Sequence, residues 1–242
     1  METRTVPTSN WMRRMFDSVP KTYVLSNKVL TFGMDEIWRR RTKEAIGPRE
    51  GDKILDMCTG PADLAIKIAG SISSSKVYAC DFSSNMLEEA KSRTRRVGVK
   101  NIYFIETDCA NMGLRSDSFD CVTISFGFRN LSYSHENLTK SLREVHRVLK
   151  NGGRFIIVET SQPANILLKK LFHFYTVKVV PKIGTFLSGA KEPYAYLGNS
   201  IVKFYSREEL ISLLAFENFK CEKTTPFLSG TILLSVFKKY GQ

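Results

Sequence analysis

Histidine is scarce in this sequence, cysteine is never paired, and no long uncharged apolar run occurs; each lack removes a class of protein. The three histidines, His135, His146 and His173, are dispersed and form no metal-ligand cluster, so no metal is expected. The five cysteines, Cys58, Cys80, Cys109, Cys121 and Cys221, are an odd number, and none stands in a C-x-x-C pair. Four lie in or beside apolar strand-like runs, the pattern of buried reduced thiols and not of a disulfide framework or a zinc site. No apolar run approaches the roughly 18 residues that a membrane span needs. The opening METRTVPTSNWMRRMF has no apolar stretch of secretory-signal length, so a cytoplasmic protein is expected, with the inner membrane surface as its one membrane option.

What is present suits one soluble domain: 242 residues, 43% apolar and 25% charged. The formal charge of +12 raises a nucleic-acid or anionic-membrane reading, because Lys and Arg gain by releasing counterions from phosphates. Solubility and long-range steering account for it more simply. The cluster Arg39, Arg40, Arg41 and Lys43 reads as one solvated helix face, and no aromatic-and-basic stacking strip stands out, so no specific nucleic acid is expected.

From residue 53 the chain alternates short apolar runs with helical patterns: KILDM and a helix from about Asp63; KVYACD and a helix over Met86 to Val97; NIYFIETD; FDCVTISF; a helix over about Asn137 to Leu149; RFIIVET. That alternation predicts an α/β fold with a mostly parallel sheet and helices on both faces. A helix near Arg207 to Phe216, then CEKTTPF and TILLSVFKK, add two late strands antiparallel to each other and bring the total to seven. Gly152 and Gly153 read as a turn before the fifth strand. The expected organisation is a helical cap over 1–50, a ligand-binding core over 51–161, a helical lid insertion over 162–204, and a closing helix with strands over 205–242.

In such sheets ligands bind beyond the carboxyl ends of the strands. The stretch ILDMCTGPADLA, residues 54–65, has the outline of a strand, a nucleotide-binding turn and a helix, with a single glycine. Cys58, Gly60 and Ala62 stand where a G-x-G-x-G turn has its glycines. Their small side chains allow close approach, and Cys58 and Ala62 are expected to keep ordinary dihedrals. A pyrophosphate would favour more glycine and no flanking acid, whereas Asp56 and Asp63 flank this turn and suit a cation such as S-adenosylmethionine. Asp63 equally suits the dipole of its helix, and Asp56 a capping acceptor, so the turn alone does not decide. Asp81, 25 residues after Asp56, ends the second strand where a carboxylate accepts ribose hydroxyls. Asp108 and Cys109 follow the third strand and are placed to read an adenine edge, or else to make a turn. Phe82 and Met86, with Ser125 and Phe126 at the end of the fourth strand, complete the expected cofactor contacts.

The segments RVLKNGGRFIIVETS (147–161), FDSVPKTYVLSNKVLTFGMDEIW (16–38), SFGFRN (125–130) and PKIGTFLSGAKEPYAYLGNSI (181–201) together resemble the UbiE/MenG family of quinone C-methyltransferases across nearly the whole chain. The chain departs from the family pattern at Asn151, at Val24 and Asp35, which replace an aspartate and a histidine, and at TGPAD, which replaces GGTGD. The resemblance implies a Rossmann-like class I methyltransferase fold, S-adenosyl-L-methionine as cofactor, and a small-molecule lipid quinol as acceptor. It also implies catalytic roles for Arg129, Asn130 and Asp63. Arg129 cannot act as a free base, so it is expected to stabilise a phenolate while Asp63, through a water held by Asn130, takes the proton. Tyr23, Asn27, Tyr194 and Tyr196 are the expected acceptor contacts. The apolar run from Ile166 to Val180 would cover the lipid tail, with its lysines at a membrane surface. Peripheral membrane contact and a homodimer are open options. The competing readings are a methyltransferase for another O, N or S acceptor, an RNA-binding protein, and a cofactor-binding module without turnover.

Overall fold

The computed structural model describes residues 8–18 and 20–241. Residues 1–7, at the opening of the expected cap, Val19 and Gln242 lie outside the described residues. Seven strands, β1 Lys53–Met57, β2 Lys76–Asp81, β3 Ile102–Glu106, β4 Phe119–Ser125, β5 Leu149–Thr160, β6 Phe219–Phe227 and β7 Ile232–Lys239, form one sheet in the order β3-β2-β1-β4-β5-β7-β6. Pairing is parallel from β3 to β5, and β7 runs antiparallel to both β5 and β6. The chain winds outward in opposite directions from β1 and β4, so the ends of those two strands, Met57 and Ser125, flank the crevice where a ligand finds room.

Parallel strands covered on both sides should be apolar on both faces, and β1 is. Leu55 and Met57 join one core layer with α7 (His135–Val148) and α11 (Arg207–Phe216). Ile54 joins the other with α3 (Met34–Ile46), α4 (Asp63–Ala69) and α5 (Ser84–Val97). Helix α7 shows how sequence sets such packing. Ser134 caps it by accepting from the Asn137 amide, and Leu138, Leu142, Val145 and Val148, three or four residues apart, are all buried. Each such side chain contributes about 1.5–3 kcal/mol on burial.

The predicted turn at Gly152 and Gly153 falls inside β5. There, five steps from Leu149 to Arg154 oppose two on β4, from Phe119 to Cys121, and Gly152 takes up the slack at φ +72°. Two helical groups stand over the carboxyl edge of the sheet. The cap holds α1 (Ser9–Asp17), α2 (Pro20–Leu30) and α3; the lid holds α8 (Ile166–Phe174), a π-helical turn over Tyr175–Val179, α9 (Val180–Ser188) and α10 (Glu192–Val202). The groups are tied together: the Tyr175 hydroxyl donates to the Leu30 carbonyl at 2.7 Å, and the Trp11 indole donates to Glu192 at 3.0 Å. Among the described residues no helix is long and apolar enough to cross a membrane.

Candidate active site

The turn after β1 corrects one expectation. Cys58 and Ala62 do not keep ordinary dihedrals; they sit at φ +48° and +62°, with Gly60 at +53°. Geometry at this turn demands left-handed backbone whatever the residue, at roughly 1–3 kcal/mol for each non-glycine position. Surrounding bonds enforce it: the Thr59 amide donates to the Cys80 carbonyl at 3.0 Å, the Ala62 amide to the Thr59 carbonyl at 2.9 Å, and the Gly60 amide to Asp81 at 2.8 Å. Across the crevice Gly127 leaves room for the turn, since a Cβ there would come within 2.6 Å of the Cys58 Cβ.

Both strand-end carboxylates are buried and fully engaged. Asp56 accepts from the hydroxyls of Thr59 at 2.7 Å and Thr123 at 2.8 Å, and burial, opposed by those two bonds, pushes its pKa up to about 6. Asp81 accepts from the amides of Gly60 and Ser83, one on each oxygen, and burial raises it to about 7 against those same bonds. Helix α5 has its own cap in Ser83, which accepts from Met86, so Asp81 is not spent on capping. Asp56, Cys58, Gly60, Asp63, Asp81, Phe82, Met86, Ser125 and Phe126 all line one cleft. The buried Ser125 hydroxyl in it has no partner, a polar atom that a bound group would satisfy. Acidic acceptors, an orphan hydroxyl, and Phe82 and Met86 as apolar surface fit a cationic nucleoside.

Two expected cofactor residues stand elsewhere. Asp108 accepts from the Ala110 amide at 2.9 Å and pairs with Asn111, the turn alternative left open above. Cys109 is buried behind the turn, its sulfur 3.7 Å from that of Cys58. Neither lines the cleft. Helix α1 lies across the opening: Phe16 meets Phe82 at 6.2 Å, and Asp17 accepts from the Ser83 hydroxyl at 2.5 Å. With α1 in this position the cleft encloses only about 50 Å³. That is well below the roughly 300–1,000 Å³ of ordinary ligand pockets, and α1 is part of the wall that narrows it.

A second cavity of about 440 Å³ lies beside the first, between cap, lid and sheet. The two share Phe16, Tyr23, Arg39, Phe126 and Asn130. Tyr23, Asn27, Tyr194 and Tyr196 all line the larger cavity, as do Leu168, Phe172, Tyr175 and Val180 of the Ile166 to Val180 run. Burial raises the Tyr23 phenol above its ordinary value of 10.0, opposed by its bond with Asn27, so it stays a neutral donor. Of the two cap departures, Asp35 lines the cavity and Val24 does not.

Arg129 enters this cavity from α6 (Phe128–Leu131) and is 7% exposed. One terminal nitrogen donates to Asn130 at 2.9 Å and to Ser200 at 3.2 Å, while the buried Nε has no hydrogen-bond partner. Beneath it Glu159, 1% exposed, accepts from the Arg129 amide at 3.2 Å and approaches Nε at 3.9 Å. A buried guanidinium in the cavity wall, with one counter-charge and one nitrogen free of hydrogen bonds, is chemically able to pair with an oxyanion. Asp63 is placed differently: it lines the cleft and not the cavity, with one oxygen 2.6 Å from Arg93 and the other 3.4 Å from Arg39. A carboxylate gripped at both oxygens outside the cavity is badly placed to take the acceptor's proton.

Two residues of this site escaped the sequence reading. Arg39, taken above as part of a solvated face, is 6% exposed. It pairs with Asp35 one turn earlier and with Asp63, and its guanidinium lies over the Phe126 ring at 5.8 Å. The signal was available, because Trp38, Arg39, Thr42 and Ile46 are spaced as one buried stripe and Asp35 stands four residues before Arg39. Glu159 could have been found as the lone acid closing the apolar run RFIIVET, where a buried charge requires a partner.

Comparison with known proteins agrees with this geometry. A family model described as the ubiE/COQ5 methyltransferase family matches residues 4–236. The chain is 35% identical over 231 residues to a ubiquinone/menaquinone biosynthesis C-methyltransferase UbiE of Francisella philomiragia, covering 93% of this chain and 90% of that one. It is 33% identical over 220 residues to a demethylmenaquinone methyltransferase of Staphylococcus aureus, covering 90% and 89%. Among solved structures, a SAM-dependent methyltransferase from Aquifex aeolicus superposes with TM-score 0.59 at 18% identity, over 83% of this chain and 88% of that one. The [4+2]-cyclase SpnF superposes with TM-score 0.70 at 14% identity, over 98% and 97%. These structural likenesses carry the fold; the cyclase shows that this fold also serves other chemistry.

Proposed function

Because the chain belongs to the ubiE/COQ5 methyltransferase family, we propose that it transfers a methyl group from S-adenosylmethionine to a ring carbon of a lipid hydroquinone, a demethylmenaquinol or a 2-polyprenyl-1,4-benzoquinol. The carrying observation is the apolar cavity of about 440 Å³ that abuts the cofactor cleft and is lined by the buried Arg129, whose Nε makes no hydrogen bond. When bound, S-adenosylmethionine supplies an electrophilic methyl group on a cationic sulfur. Asp81 and the turn at Cys58 to Ala62 hold the nucleoside, and Phe126 with Asn130 sits where the two sites meet. A phenol ring carbon becomes nucleophilic once its hydroxyl loses the proton, and Arg129 favours that ionisation by pairing with the oxyanion, Asn130 fixing the guanidinium. Tyr23 and Tyr194, the latter with a buried and unpartnered hydroxyl, donate to the acceptor's oxygens. The phenol proton passes to water at the cavity mouth; after methyl transfer the ring carbon gives up its hydrogen by the same route while the oxygen is reprotonated, which restores the aromatic ring, and Asp63 serves to hold Arg39 at the junction. Alignment of two bound reactants then contributes several kcal/mol of the barrier reduction.

The lid accounts for the lipid tail. Helix α8 is apolar yet buries none of its residues: Ile166, Leu167, Leu171 and Phe174 are exposed, while Leu168 and Phe172 face the cavity. Phe32 and Phe186 are exposed nearby on the cap and α9, and Lys169 and Lys170 lie within α8 itself. An apolar helix with its own cations suits the surface of an anionic bilayer, from which a tailed quinol can slide into the cavity. The test is transfer of radiolabelled methyl from S-adenosylmethionine to reduced menaquinone and ubiquinone precursors, against catechols, amines and thiols. Label appearing on carbon in the quinols supports the reading; label appearing solely on the other acceptors overturns it.

A further inference from the structure

Three thiols gather at the cofactor turn, one lining the cleft and two behind it, and their sulfurs have no part in methyl transfer. Cys58 follows β1, Cys80 lies in β2, and Cys109 follows β3, so the parallel register brings them together at one edge of the sheet. The sulfurs of Cys58 and Cys109 are 3.7 Å apart; Cys58 lines the cleft and is half-buried, whereas Cys80 is fully buried. We propose that Cys58 and Cys109 are an oxidative modification site: a small peroxide links them as a disulfide and thereby weakens cofactor binding.

The geometry supplies each requirement. Hydrogen bonds from the Cys58 and Cys80 thiols hold the Cys109 thiol well below its usual range, which gives it thiolate character. In the reaction Cys58, the thiol that lines the cleft, passes its proton to the Cys109 thiolate and its sulfur attacks one oxygen of hydrogen peroxide; the O–O bond breaks, and water leaves a sulfenic acid on Cys58. The Cys109 sulfur then attacks that sulfenic sulfur, the S–S bond forms, and a second water departs with the sulfenic oxygen. Two thiols lose two electrons in all, and one peroxide becomes two waters. Bonding requires the sulfurs to close from 3.7 Å to about 2.05 Å. Cys58 cannot make that movement alone, because its left-handed backbone is the first step of the cofactor turn and its Cβ rests against Gly127. Closure therefore pulls on the turn that the Gly60 amide ties to Asp81. A bound nucleoside would cover Cys58 and protect it.

This inference rests on the cofactor assignment above, and the experiment separates the two. The full-length chain, free of cofactor, is treated with hydrogen peroxide, alkylated, digested and mapped, and S-adenosylmethionine affinity is measured by calorimetry before treatment, after it, and after dithiothreitol. Expected are a linked peptide pair carrying Cys58 and Cys109, an affinity loss of roughly tenfold or more that dithiothreitol reverses, and protection when S-adenosylmethionine is present during treatment. Cys221→Ser should respond as the parent chain does. Cys109→Ser, compared with itself before treatment, should keep whatever affinity it has. Absence of binding by the reduced parent chain would sink the cofactor assignment, whereas the peptide map would still report on the pair. Both thiols remaining alkylatable, a link from Cys109 to Cys80, or a Cys58 to Cys109 link with unchanged affinity would each overturn the inference.

Discussion

The two halves of the site are built in opposite ways. The cofactor cleft is made of strand ends, strained backbone and carboxylates whose oxygens are already bonded, with the Ser125 hydroxyl left without a hydrogen bond; the larger cavity is made mostly of helix faces, and in it Arg129 Nε, beside Glu159, and the Tyr194 hydroxyl make no hydrogen bond. A cleft of the first kind is rigid and fixes one ligand's orientation, because each acceptor is aimed by bonds the protein makes with itself. A cavity of the second kind tolerates variation along its walls and commits to chemistry at one point.

Changes to that one point should therefore show the greatest asymmetry. Arg129→Lys keeps a cation but loses the fork, and is expected to lower kcat by roughly 10²–10³ while leaving cofactor affinity within about twofold. Equal loss of both, measured by steady-state transfer and calorimetry, would erase the contrast between the halves. Asp81→Ala should do the reverse. Loss of charge-assisted bonds to a diol, about 2–3 kcal/mol, predicts roughly a hundredfold weaker S-adenosylmethionine binding, with circular dichroism unchanged.

A smaller effect follows from the Asp81 pKa of about 7. The ionised carboxylate, which a cationic ligand selects, is scarce at pH 6 and predominant at pH 8, so affinity should rise about tenfold across that interval. Asp81→Asn should flatten the dependence. In the empty chain the same shift acts with the opposite sign: from about pH 4 to about pH 7 the fold retains a proton that the unfolded chain has released, so its stability falls as pH rises through that window. Smallest, Lys170→Gln should weaken binding to vesicles containing anionic lipid by about 1 kcal/mol, roughly fivefold, with no change on neutral vesicles. Loss on both vesicle types would mean that apolar contact alone carries the attachment.

The unlike construction also explains what the sequence made legible. Parallel strands, their alternation with helices and the carboxylates at their ends follow from local pattern, and residues read that way, Asp56, Asp63 and Asp81 among them, line the cleft, whereas Phe16 and Arg39 reach it from the cap. The left-handed dihedrals of Cys58 and Ala62 were not legible, since local preference argues against them and only bonds from β2 and the turn itself impose them. Arg39 was misread because charge in a helix suggests water until its partners, Asp35 and Asp63, are known to converge from α3 and α4. The larger cavity draws on segments between Met15 and Ile232, and only folding reveals that they share a wall.

Helix α1 bridges the two compartments. Phe16 rests against Phe82 at the cleft, and the same helix reaches the lid through Trp11 and Glu192. One element thus forms part of the wall of both rooms, so a substitution at Trp11 should register at the far one as well as the near.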